Sequence, residues 1–159
     1  MQTTIKRRQK AFTLVEIILA VAIIFFLAGM VIIAINPAKQ LAQTRNSQRD
    51  SDVQLILNQV YQYSIDNNSA LPGSIPTSAD CGGVASNEIC RTDIGSPNCS
   101  GLVDISILTV NQKYLVDVPV DPSGSSANGT GYHISKDADS RITVCAPSAE
   151  RGVEISATK

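Results

Sequence analysis

Tryptophan is absent from this 159-residue chain, histidine occurs once, and aromatic residues make up only 4%. A domain with so few large rings has a small core and needs help from another source of stability. The lone His133 cannot supply a histidine-based metal set, and no serine or cysteine nucleophile motif accompanies it. The sequence has no G-x-S-x-G elbow, no P-loop and no G-x-G-x-x-G turn. Hydrolase, nucleotide-binding and dinucleotide-binding readings therefore have no local support, and the chain is expected not to be an enzyme. Acids are missing from the first fifteen residues, and no charge of either sign falls between Ile17 and Ile35. An A-x-A-like cut after the apolar run is also missing, so the run does not read as an ordinary secretory signal.

What stands in those places organises the chain. Lys6, Arg7, Arg8 and Lys10 come first, then the junction Ala11-Phe12, then a single carboxylate at Glu16. Behind it the apolar run Ile17 to Ile35 holds 19 residues. At about 1.5 Å per helical residue it spans roughly 28 Å, near the hydrocarbon thickness of a bilayer. The flanking cations lie only on the N-terminal side, which places Met1 to Lys10 in the cytoplasm and everything after Asn36 outside. A carboxylate at the mouth of such a run is costly unless it stays at headgroup depth or meets a cation in an assembly. Cleavage between Ala11 and Phe12 would create that cation, a new α-amino group.

The string Ala11-Phe12-Thr13-Leu14-Val15-Glu16 followed by an apolar span resembles the cleavage and methylation signal of type IV pilins and type II secretion pseudopilins. The resemblance implies that a prepilin peptidase cuts the Ala11–Phe12 bond. It implies that Phe12 is then N-methylated, and that Glu16 pairs with the N-terminus of a neighbouring subunit. The family usually has Gly before the cut, where this chain has Ala11. Partners implied are copies of the chain, other pilin-like subunits, the peptidase, an inner-membrane assembly platform and membrane lipid.

The expected organisation is a cytoplasmic leader at 1–11, a membrane and filament-core helix at 12–35, and an exported head at 36–159. The fold class is α+β and pilin-like: one long helix, kinked near Pro37, packed on a small antiparallel sheet. Pro37 removes a backbone donor and crowds the preceding turn; the alternative is a helix end with Pro37 opening a second helix. Val53, Ile56, Leu57, Val60, Tyr61 and Ser64 recur at helical spacing and mark the face that packs on the head. The segment 70–100 is rich in Pro, Gly, Ser and Asn and reads as loop. Residues 101–108 fit either a helix or a strand, with a short helix from Leu102 preferred. Strands are expected at Tyr132 to Ser135 and Arg141 to Ala146, with an edge strand at Gly152 to Ser156. The run Pro119-Val120-Asp121-Pro122-Ser123-Gly124 with Gly131-Tyr132 resembles the head of major-type pseudopilins, which carry Trp where this chain has Ser123.

Four cysteines, Cys81, Cys90, Cys99 and Cys145, all lie on the outward side and read as two disulfides. Three connectivities exist; Cys81–Cys90 with Cys99–Cys145 is favoured, and a zinc site is not expected. No cofactor is expected, although Asp117, Asp121 and Asn128 offer oxygen atoms that could hold calcium. Asp121 reads equally as a turn former. After the leader, nine cations face 14 acids, so nucleic acid is not an expected partner. Lys39, Arg45 and Arg49 lie near one helical face, diluted by Asp50 and Asp52, and no aromatic residues are interleaved to stack on bases. The charges from Lys39 to Asp52 read as a solvated face or as a contact between heads in a filament. The whole reads as a structural subunit of a type IV pilus-like filament. The alternative is a single-pass anchored binding domain that never polymerises.

Overall fold

The computed structural model describes residues 12–95 and 97–159. The chain divides into two compact units, meeting between Gln40 and Leu41.

In the first unit, α1 runs from Leu14 to Ile35. Thr13 caps it: its Oγ1 accepts the Glu16 N–H at 3.2 Å. Glu16 also places a negative charge in the first turn, where the exposed N–H groups favour it. The helix stops at Asn36, which adopts a left-handed conformation with φ 49°. That residue also starts the next helix, because its Oδ1 accepts the Lys39 N–H at 3.2 Å. Pro37 then opens α2, which extends to Asp66. Pro is well placed there, since the first helical position needs no N–H. The expected weak point is thus a one-residue break, not a bent continuous helix.

In the second unit, Val53, Ile56, Leu57 and Val60 of α2 are buried to 3% exposure or less. The apolar stripe predicted there is real up to Val60 but leaves its line afterwards. Tyr61 remains 39% exposed, and Tyr63 packs against the core instead. The sheet has four antiparallel strands in sequence order: β1 Glu88–Cys90, β2 Gly129–Lys136, β3 Ile142–Cys145 and β4 Ser156–Thr158. Ile134 lies opposite Val144 and Lys136 opposite Ile142 across β2 and β3. Tyr132, Ile134, Ile142 and Val144 join the residues of α2 in one core. These alternate positions share one face of the sheet, as a two-residue period requires.

Several expectations shift. The 70–100 loop contains β1, which pairs with β2 and forms a bridge from Ile89 to Val103. That bridge keeps Val103 extended, so no helix starts at Leu102. Two 3₁₀ turns lie later, between Ser106 and Gln112, separated by a kink at Val110 and Asn111. The last strand also starts later than expected, because Arg151 and Gly152 form a turn with φ near 65°. The disulfides are Cys81–Cys145 and Cys90–Cys99, so the favoured pairing is wrong. The reason is β1. Pairing with β2 carries Cys90 away from Cys81 and towards Cys99, while Cys81 reaches the end of β3.

Candidate assembly site

The N-terminal candidates lie at the head of α1. Phe12 is 75% exposed. Glu16 is exposed in the first turn, with no ion-pair partner among the described residues. Ala11 lies outside the described residues. From Phe12 to Ile32 every side chain is exposed, and Leu14–Ile32 is long and apolar enough to cross a membrane. A helix that is apolar all round and uncovered requires an apolar environment outside its own chain.

A second constellation lies wholly within the head, and the sequence did not disclose it. Arg49 of α2 is fully buried. Its Nε donates to Asp121 Oδ2 at 2.6 Å and its Nη2 to Asp121 Oδ1 at 3.0 Å, a two-pronged pair. Nη2 also donates to Ser123 Oγ at 2.6 Å. Nη1 donates to Asn46 Oδ1 at 2.9 Å and to Glu150 Oε1 at 3.1 Å. All five guanidinium N–H groups therefore have an acceptor. A buried cation demands that completeness, because an unmatched donor would keep its full desolvation cost.

The surroundings follow from local geometry. Asn46 and Arg49 are three residues apart, so α2 brings them to one face. Asp121 starts a tight turn in which its Oδ1 accepts the N–H groups of Ser123 and Gly124 at 2.8 and 2.7 Å. The Asp121 N–H donates to the Thr130 carbonyl at 2.8 Å, fixing the turn to β2. Gly131 makes that approach possible: with φ at +81°, a Cβ there would lie 2.8 Å from the Gly124 carbonyl and 2.9 Å from the Asp121 Cβ. Arg45 forks onto Glu150, with Nη2 to Oε2 at 2.7 Å, and Asn46 holds the Glu150 backbone. One turn along α2, Asp52 accepts the Tyr132 hydroxyl at 2.7 Å.

The protonation states fit this arrangement. Burial pushes the Asp121 carboxyl up, but the Arg49 hydrogen bond and the two turn N–H groups outweigh it and hold it below the usual range. Arg45, followed by Arg49, draws Glu150 down to about 2. Asp52 is raised, chiefly by burial, against the opposing Tyr132 hydrogen bond. Burial and then Asp52 raise the Tyr132 hydroxyl. The mutual pairing of Arg45 and Arg49 with Glu150 and Asp121 favours the charged form of all four, so this part of the network behaves as a clamp.

This corrects the reading of residues 39–52. Arg49 is spent on the head's own interior, Asp52 on the Tyr132 hydroxyl, and the part-exposed Arg45 on Glu150 of the same head, while Asp50 stays exposed. Arg49 is not available to a phosphate. Asp121 is committed to Arg49, and the Asn128 Oδ1 accepts the Asn98 N–H at 3.0 Å, while Asp117 is exposed. Two of the three candidate oxygen donors are therefore already engaged by groups of this chain. Ser123 replaces a Trp of the resembling heads, and it supplies the hydroxyl that takes an Arg49 donor.

Residues 6–35 match a family described as the prokaryotic N-terminal methylation motif. The chain carries the type IV pilin and pseudopilin signal. The match takes in the leader cations, the Ala11–Phe12 junction, Glu16 and all of α1, and it stops before Asn36. Neither the comparison with curated proteins nor that with solved structures found a match. The motif supports a type IV pilin-like or pseudopilin precursor, the apolar α1 behind it suggests a membrane anchor, and the α+β architecture is consistent with a pilin-like fold. A signal of this kind implies processing by a prepilin peptidase and assembly with pilin-like subunits.

Proposed function

We propose that this chain is a structural subunit of a type IV pilus-like filament, a pilin or major-type pseudopilin, whose work is assembly and not catalysis. The observation that carries the reading is the methylation motif lying on a helix with no buried residue from Phe12 to Ile32. Before assembly, α1 holds the subunit in the membrane, with the leader cations in the cytoplasm and the head outside. Cleavage at Ala11–Phe12 breaks one peptide bond and leaves a free α-amino group on Phe12. In the filament, α1 exchanges lipid for the α1 helices of neighbouring copies, and Glu16 faces the Phe12 amino group of one of them. At about 4 Å and an effective dielectric near 20 the attraction is about 4 kcal/mol before desolvation is subtracted. The net gain is small, so the pair serves register: a wrong rise leaves two charges unmatched in an apolar core.

Mass spectrometry of the native N-terminus, with electron microscopy of the same cells, tests this. The expected result is a chain beginning with methylated Phe12, recovered from filaments. An intact leader in membranes, with no filament, would replace the reading with that of an anchored, non-polymerising domain.

A further inference from the structure

The ion pairs of the head leave a remainder. From Leu41 onward the chain has eight cations, and five of them are in salt bridges: Arg45, Arg49, Arg91, Lys113 and Arg141. Lys136, Arg151 and Lys159 are in none among the described residues. Among the acids of the same unit, the side chains of Asp50, Asp117 and Glu154 have neither an ion pair nor a hydrogen bond among the described residues. Four of these six fall in two grooves. Lys136 and Lys159 line one groove, together with the hydroxyl-bearing Ser64, Ser69 and Ser140, and no acidic side chain lines it. Among the described residues the Lys159 ammonium has neutral partners: the Tyr61 ring, 4.5 Å from its centroid, and Asn58 Oδ1 at 3.4 Å. Asp50 and Glu154 line a different groove, with Gln43, Ser47 and the exposed Val153, and no cation lines that one. Arg151 and Asp117 line neither.

Both grooves flank one stripe of α2. Gln43 and Tyr61 are 18 residues apart, as are Ser47 and Ile65, and 18 residues make five full turns. The acidic groove therefore precedes the basic one by about 27 Å along the same helix face. Within one chain they cannot meet. We propose that they meet between copies: the acidic groove at Asp50 and Glu154 of one head receives the basic groove at Lys136 and Lys159 of the next. The claim rests on the filament reading, which keeps all copies parallel. Parallel copies joined through two different patches make a heterologous contact, and with an axial offset between the copies such a contact propagates instead of closing into a ring. Exposed charge pairs contribute little individually, so this contact sets the axial offset between heads while α1 supplies cohesion. Added salt weakens it.

The test uses the full-length processed protein, assembled from isotopically heavy and light copies and treated with a carbodiimide. That reagent joins a carboxylate directly to an amine. The expected product is a peptide linking Asp50 or Glu154 of one isotope to Lys136 or Lys159 of the other. Lys136→Glu with Lys159→Glu should abolish the link and reduce filament yield, and adding Asp50→Lys with Glu154→Lys should recover both. Filaments without this link, or no recovery although thermal unfolding shows the variant heads folded, overturn the contact and leave the filament reading standing. A wild-type chain that forms no filaments overturns both.

Discussion

α1 and the stretch of α2 from Ala42 onward are neighbouring helices built from opposite materials. α1 carries one charge in 22 residues and buries none of the side chains from Leu14 to Ile32. α2 mixes cations, acids and apolar residues and buries six side chains, one of them an arginine. The first helix has no use for its own fold and depends on what lies outside the chain. The second is held from within, by a small apolar core and a charged clamp. Function and stability are therefore separable here, and substitutions should sort accordingly.

The largest effect on stability is expected at the clamp. Arg49→Ala leaves Asp121 charged, buried and unmatched, which should cost about 3–5 kcal/mol in urea unfolding. Arg49→Lys should recover only part of this, because an ammonium cannot fork onto Asp121 while also reaching Ser123 and Asn46. Full stability in Arg49→Ala would show that α2 is held by its apolar face alone.

The two disulfides should rank next, and unequally. Cys81–Cys145 spans 64 residues and Cys90–Cys99 spans nine. Chain entropy then assigns about 4 kcal/mol to the long loop and about 2.5 kcal/mol to the short one. Paired Cys→Ser variants, compared by denaturant midpoint, check the order; a reversal would mean that the unfolded chain is already constrained between Cys81 and Cys145.

Acid should act on the clamp more gently. Glu150 has a folded pKa of about 2 against an ordinary 4.5. A depressed carboxylate contributes stability that is complete above its unfolded value and lost as pH falls through its folded value. Stability should therefore drop between about pH 4.5 and 2, with Asp121 acting in the same direction and the raised Asp52 against it. Glu150→Gln should flatten the slope in that window, followed by circular dichroism; an unchanged slope would assign acid sensitivity elsewhere.

The smallest effects on head stability should come from α1. Removing residues 1–36 should abolish membrane association yet shift the head's unfolding by no more than about 0.5 kcal/mol. Aggregation or unfolding of that truncation would join what the comparison separates. Glu16→Ala should likewise leave unfolding unchanged, insert normally and still be cut after Ala11, while filament yield falls. Normal yield in a strain lacking the wild-type copy would return Glu16 to a tolerated interfacial carboxylate.

Legibility followed the range of the forces involved. The signal at 6–35 is local, so Phe12, Glu16 and the apolar run could be read directly. Asn36-Pro37 was legible for the same reason, since its chemistry needs no distant partner. The hairpin of β2 and β3 joins neighbours in sequence, and its turn residues announced it. β1 was not legible: three residues in a Pro- and Gly-rich segment become a strand only because β2 and Val103 lie on either side. The wrong cysteine pairing descends from that single omission. Arg49 was hidden for a related reason. On the helix it looks like any surface cation, and its partner lies 72 residues away in a turn.

Gly131 extends this to what substitution can reach. The Asp121 turn presses on β2 only because position 131 has no side chain, so the best-buried ion pair of the head is positioned by an atom that is missing. Any methyl group placed there would displace the turn before it touched Arg49. Among chains that share this head, Arg49, Asp121 and a glycine at 131 should be inherited as a triplet, and a lineage that loses the glycine should lose the other two.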